Sequence, residues 1–213
     1  GFEAPFQIVR DMIEAVPEAH GYSDSRGIKS ARLAVVYRYE QVPGFPALDP
    51  DDVYLGNGVS ELITMTMQAL LDEGDEVLIP APDYPLWTAM TSLGGGTPVH
   101  YLCDEQNGWQ PDIEDIRSKI TERTKAIVVI NPNNPTGAVY TREVLDQIAD
   151  IAREHSLLVL ADEIYDRILF DDARHIPMAA VAPDLLVLTF NGLSKRERGQ
   201  LNSSQLRTHG SQS

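Results

Sequence analysis

Apolar positions along the chain follow two different patterns. In the first fifty residues they recur with a helical period. Phe6, Val9, Met12, Ile13 and Val16 predict an amphipathic helix over 4–20, which Pro17 distorts late and Gly21 stops. Ile28, Leu33, Val36 and Tyr37 predict a second helix over 27–40, followed by the proline-rich loop VPGFPALDPD. From residue 52 the pattern changes. Short, continuous apolar runs at 52–55, 76–79, 97–102, 125–130, 157–161 and 185–189 alternate with amphipathic stretches at 59–71, 84–93, 111–120 and 141–155. Pro111 suits a first helical turn, and Thr141 suits an N-cap. Unbroken apolar runs mark strands buried on both faces. The expected fold is therefore a three-layer α/β/α domain around a mostly parallel sheet. Three segments follow: a helical region over 1–50, a large α/β domain over 51–195, and a polar tail over 196–213 that lacks periodicity and reads as disordered.

Composition narrows the function classes. The net charge is −15 over 213 residues, so no broad basic face is available for nucleic acid or an anionic membrane. Cys103 is the only cysteine, which excludes an intrachain disulfide and fits a reducing cytoplasm. It sits in a strand-like run, where packing is its expected role. No apolar window is long enough to span a bilayer, and the first residues show no leader pattern.

Ligands of open α/β sheets gather beyond the carboxyl ends of the strands, and four polar stations fall there. Gly58, Val59 and Ser60 open a helix after two glycines, forming a nest of backbone N–H groups suited to an anion. NPNNPTG, residues 131–137, follows the most apolar strand and offers Asn134 as a donor. Asp162 directly follows the run Leu157-Leu158-Val159-Leu160-Ala161, where a carboxylate is costly unless paired. A protonated pyridine nitrogen is such a partner, and Tyr165 could reach the same ring's 3′ oxygen. Lys195 follows the last strand; an amine partly removed from water there can form an imine. Each has an ordinary alternative: a tight turn, a rigid loop, a capping acid, a surface lysine. Tyr84 could lie flat against a ring or pack in the core, and Trp87 reads as core.

The motifs GNGVSE, APDYP, NPNNPTG, ADEIY and TFNGLSK, in this order, resemble the class I/II aminotransferases of the fold type I pyridoxal-phosphate superfamily. The resemblance covers residues 1 to about 195. The wording NGVSE, HGYSDSRG and FNGLSK is most similar to the branch of bacterial alanine (glutamate–pyruvate) aminotransferases, some of which carry an aspartate aminotransferase label. It implies pyridoxal 5′-phosphate as cofactor, with Lys195 as Schiff-base lysine and proton carrier. Asp162 would pair with the pyridine nitrogen, and Tyr165 and Asn134 with the 3′ oxygen. Tyr84 would stack on the ring, and Gly58, Val59 and Ser60 would hold the phosphate. Tyr22 would reach the phosphate of a neighbouring subunit in a homodimer. The implied substrates are an amino acid and a 2-oxo acid.

The chain departs from the family after Lys195. The family's phosphate-binding arginine falls at Ser203, and its small domain with a carboxylate-clamping arginine has no counterpart here. The expectation is a chain cut just after its reactive lysine, with weak substrate binding. Two other readings share the motifs: a carbon–sulfur β-lyase of the same fold, and a catalytically inactive fragment.

Overall fold

The computed structural model describes residues 6–18 and 21–193. Lys195 and the tail expected over 196–213 lie outside the described residues.

Among the described residues six strands form one sheet: β1 Glu76–Ala81, β2 Thr97–Asp104, β3 Gln110–Pro111, β4 Thr124–Ile130, β5 Leu158–Asp162 and β6 Val187–Phe190. Their order is β3-β2-β1-β4-β5-β6, parallel throughout except for the short antiparallel pair β2–β3. The described residues also form the α-helices α1 Phe6–Ala15, α2 Lys29–Glu40, α3 Val59–Leu70, α4 Pro85–Leu93, α5 Ile113–Ser118, α6 Arg142–His155 and α7 Met178–Val181.

Alternating side chains of the same strands feed two separate cores, which is why the runs are apolar without interruption. Val77, Ile79, Ala126, Val128, Ile130, Leu160 and Phe190 pack with Ile63 and Met67 of α3 and Trp87 of α4. Leu78, Ile127, Val129, Val159 and Ala161 pack on the opposite face with Ile116 of α5, Leu145 and Ile148 of α6, and Met178 of α7. Cys103 belongs to this second core, and burial pushes its thiol up. The three-layer reading of the sequence therefore holds. Thr141 caps α6 as expected, its hydroxyl accepting from the Val144 amide.

Several local expectations fail for identifiable reasons. Residues 52–55 form no strand. Pro50–Asp52 is a 3₁₀ turn, and Leu55 makes one backbone bond, to the Arg26 carbonyl. A buried arginine organises this region instead. Arg32 donates to the carbonyls of Gly27 and Pro50 and to the carboxylates of Asp24 and Asp51. Consequently the inward face of α2 is Arg32, Val36 and Tyr39, while Ile28, Leu33 and Tyr37 are exposed. Pro111 pairs with Cys103 in β3 rather than opening a helix; Asp112 caps α5 by accepting from the Glu114 and Asp115 amides. Tyr84 is the N-cap of α4, not its first turn. The amphipathic pattern of α1 is real, but none of its residues is buried, and its apolar side faces outward.

Candidate active site at the carboxyl edge of the sheet

Strand order reverses between β1 and β4, the place where an open α/β sheet leaves a crevice. Register brings the relevant chain ends level with one another. Ile130, Asp162 and Phe190 are cross-strand partners on β4, β5 and β6. The next residue of each strand leaves this row, with the Asn131 amide bonded to the Asp162 carbonyl and the Glu163 amide to the Phe190 carbonyl.

Asp162 is 3% exposed. Its carboxylate accepts from the Trp87 indole N–H at 3.0 Å and from the Ile164 amide at 3.3 Å. Burial raises its pKa, and these two donors pull it part of the way back. Among the described residues no cation pairs with it. Trp87 is thus both core and ligand: fully buried, edge-on to Phe190 at 5.2 Å, and donor to the site carboxylate. The sequence pattern predicts packing alone for it.

Gly58 precedes α3 with φ +84°, a conformation that L side chains rarely adopt, and a Cβ there would meet nothing within 4 Å. Among the described residues the first turn of α3 is uncovered: Ser60 is exposed and Val59 half-buried. Gly192, in the turn after β6, lies close by. A Cβ on it would stand 3.0 Å from Ile164 Cδ1 and 3.8 Å from Val59 Cγ2. Gly192 thus sits beside the α3 N-terminus and the loop that follows Asp162. That turn is anchored by Asn191, whose amide donates to the buried Tyr39 hydroxyl at 3.3 Å. Burial pushes the Tyr39 phenol up to about 12, so it stays protonated at neutral pH.

Asn134 and Tyr165 line one cleft of about 230 Å³, together with Pro132, Asn133, Ile168 and Phe170. The NPNNPTG turn is rigid for a visible reason. Asn133 Oδ1 accepts from the Thr136 amide and hydroxyl, its Nδ2 donates to the buried Tyr140 hydroxyl, and Asn131 Oδ1 accepts from the Tyr140 amide. Tyr84 sits at the start of α4, 36% exposed. Tyr22 stands apart, wholly exposed in the loop before α2.

Sequence reasoning missed Glu163, His175, Tyr39 and Asn191. Strand alternation could have found Glu163, since neighbours on a strand face opposite ways. Asp162 turns toward Trp87, and Glu163 turns toward Met178, whose amide donates to Glu163 Oε1 at 2.8 Å. Burial holds Glu163 up to about 8 and His175 down to about 4, so both are neutral at pH 7. His175 lies in a stretch with no periodic signal.

Comparison with known proteins gives the family. The family model "Aminotransferase class I and II" matches residues 4–197. An alanine aminotransferase of Mycobacterium tuberculosis is 75% identical over 198 residues, covering 93% of this chain and 46% of the relative. The glutamate-pyruvate aminotransferase AlaA of Escherichia coli is 60% identical, covering 93% of this chain and 49% of the relative. Among solved structures, an aminotransferase from Escherichia coli superposes with a TM-score of 0.89 at 59% identity, over 92% of this chain and 48% of that one. An alanine aminotransferase from Pyrococcus furiosus does so at 0.85 and 44%, over 91% and 49%. The chain spans about half the length of the curated relatives it matches. Among the described residues no helix is long and apolar enough to cross a membrane. By its family model, its relatives and its fold, the chain belongs to the class I and II aminotransferases.

Proposed function

We propose that this carboxyl edge binds pyridoxal 5′-phosphate and serves amino-group exchange between an amino acid and a 2-oxo acid, of the alanine–glutamate kind named in its relatives. The observation that carries the reading is Asp162. It is a buried carboxylate at a strand end, with no cationic partner among the described residues, beside an open helix N-terminus. A flat cationic ring with a phosphate fits both features: the carboxylate offers a counter-ion and the helix end an anion site.

When bound, the cofactor supplies an electron sink for the bond broken at the substrate Cα. The chain's own residues do the rest. Asp162 keeps the ring nitrogen protonated. The amide groups of Val59 and Ser60, with the Ser60 hydroxyl, hold the phosphate. Asn134 and Tyr165 fix the 3′ oxygen from one cleft, and Tyr84 covers a ring face. Lys195 carries a proton at the substrate Cα. Tyr22, exposed in this chain, completes a neighbouring copy's phosphate site in a homodimer. In this reading residues 1–50 are an accessory helical segment, 51–195 are the cofactor-binding domain, 196–213 are a separate tail, and the compartment is the cytoplasm.

The test is product analysis on the cofactor-loaded chain. With L-alanine and 2-oxoglutarate, pyruvate and glutamate are expected in equal amounts. Release of pyruvate and a thiol from a cysteine conjugate, without any oxo acid, would reassign the reaction to a carbon–sulfur β-lyase. No turnover in either assay, despite bound cofactor, would contradict both and leave a binding-only chain.

A further inference from the structure

The ladder between β5 and β6 ends at Asp162 and Phe190, and the Phe190 carbonyl accepts from the Glu163 amide. Beyond Phe190 the chain turns, yet Gly192 occupies a closely fitted seat. A Cβ there would stand 3.0 Å from Ile164 Cδ1, in the loop after Asp162, and 3.8 Å from Val59 Cγ2, in the first turn of α3. Among the described residues no backbone–backbone bond holds Asn191 or Gly192 in that seat; the bonds they make run through the Asn191 side chain. Its Oδ1 accepts from the Gly192 amide at 2.8 Å. A backbone N–H can only donate, so this contact fixes which end of the side-chain amide is oxygen. Nδ2 therefore faces the Tyr39 hydroxyl, to which it donates at 3.3 Å.

That hydroxyl is a fixed point, because the ring carrying it is buried and packed on two sides. Tyr39 stacks on Phe45, with centroids 4.4 Å apart and 29° between the planes. The Arg38 guanidinium lies 5.1 Å from the Tyr39 ring centroid, and Arg38 is itself ion-paired with Asp166 in the loop after β5. Gly44, in the turn that follows α2, packs against α7: a Cβ on it would lie 3.5 Å from the Ala180 carbonyl oxygen. The C-terminal end of α2 thus rests on the loop after β5 and on α7, and it holds the turn after β6 through one hydroxyl. Part of the first fifty residues, which the sequence pattern marks only as helical, therefore reaches the carboxyl edge of the sheet.

We propose that Tyr39 is a positioning residue: through Asn191, its hydroxyl seats the turn after β6 against Ile164 and Val59, and so sets the point from which the chain runs on to Lys195, three residues after Gly192. The consequence for Lys195 rests on the function proposed above; the seat itself does not.

The test begins with the full chain without cofactor. Tyr39→Phe removes the hydroxyl and keeps the ring stack on Phe45. In it, amide exchange at Gly192 is expected to speed up about tenfold relative to Val128 and Leu160 in the sheet, the effect of losing one neutral hydrogen bond. Asn191→Ala removes the side-chain amide between Tyr39 and Gly192, and adding Tyr39→Phe to it is expected to change Gly192 exchange no further. Equal acceleration at all three amides, none at Gly192, or additive effects in the double variant would overturn the seat and leave Tyr39 as packing. Should Tyr39→Phe not fold, the wild type still decides: the Asn191 side-chain amide protons are expected to show a nuclear Overhauser contact with the Tyr39 ring, and its absence would overturn the seat. Cofactor measurements then separate the seat from the function it serves. Pyridoxine 5′-phosphate carries the ring and the phosphate but no aldehyde, so it cannot form an imine. It is expected to bind wild type and Tyr39→Phe with the same affinity, while the visible band formed with pyridoxal phosphate appears about tenfold more slowly in Tyr39→Phe, as for a reacting group held out of place. A wild type that binds neither compound refutes the proposed function and leaves the seat to the exchange data. Equal rates of band formation in the two proteins, or an equal loss of affinity for pyridoxine phosphate, refute the consequence for Lys195.

Discussion

Asp162→Asn is expected to leave a folded chain that takes up pyridoxal phosphate yet transfers amino groups about 10²- to 10³-fold more slowly, the loss typical of removing one preorganised charge partner from a reacting centre. The reasoning starts from burial. Asp162 is 3% exposed, and its carboxylate is raised in pKa by desolvation. Under the proposed function, an acid placed this expensively would be stabilised by a cation that arrives with the ligand. Asparagine keeps the shape and one acceptor oxygen but cannot hold a ring nitrogen protonated. The phosphate anchor proposed at Gly58 is untouched, so binding is expected to be retained and the chemical step lost. Single-turnover decay of the cofactor absorbance on adding L-alanine measures this. Wild-type rates in the variant would remove Asp162 from its assigned role.

Trp87→Ala is expected to have the largest effect on stability. Trp87 is fully buried and stacks edge-on with Phe190. Truncating such a side chain costs about 3–5 kcal/mol through lost burial and a residual cavity. It also strips the indole donor from Asp162, at a further cost of about 1–3 kcal/mol for a buried acceptor left unsatisfied. Against a total of about 5–15 kcal/mol for an ordinary domain, that is a large share. Trp87→Phe separates the two parts, because it keeps most of the ring packing and loses only the donor. Its pH dependence has a definite sign. The indole bond lowers the Asp162 pKa, so removing it raises that pKa further above the unfolded value. The deficit relative to wild type should therefore be small where Asp162 is protonated and grow as pH rises through its folded pKa. Urea midpoints across that range measure it. A deficit independent of pH would show that the indole bond does not act on the ionised carboxylate.

The layered fold was legible in the sequence because strands buried on both faces cannot alternate. Val77 to Ile79 and Ala126 to Ile130 feed two cores at once, and that demand leaves unbroken apolar runs. The candidate stations stood out for a related reason: Asp162 ends one such run, and Asn134 lies in the polar turn that follows another. What failed was set by partners distant in sequence. Arg32 reads as a surface cation until Asp24, Asp51 and two carbonyls surround it, and it then dictates which face of α2 turns inward. His175 and Glu163 gain meaning only when a stretch without helix or strand folds so that His175 Nε2 comes within 3.9 Å of the Glu163 carboxyl and the Met178 amide donates to it. The exposed apolar side of α1 is a further case, since periodicity reveals a stripe and says nothing of what it meets.

The central claim is that the carboxyl edge of this sheet holds pyridoxal phosphate through Lys195. It is tested most directly by adding the cofactor to the purified chain and recording the visible spectrum before and after borohydride reduction. The account predicts a visible band that borohydride abolishes, with the label fixed on the peptide containing Lys195, and no such band in Lys195→Ala. A wild type without the band, or a Lys195→Ala variant that keeps it, would contradict the account.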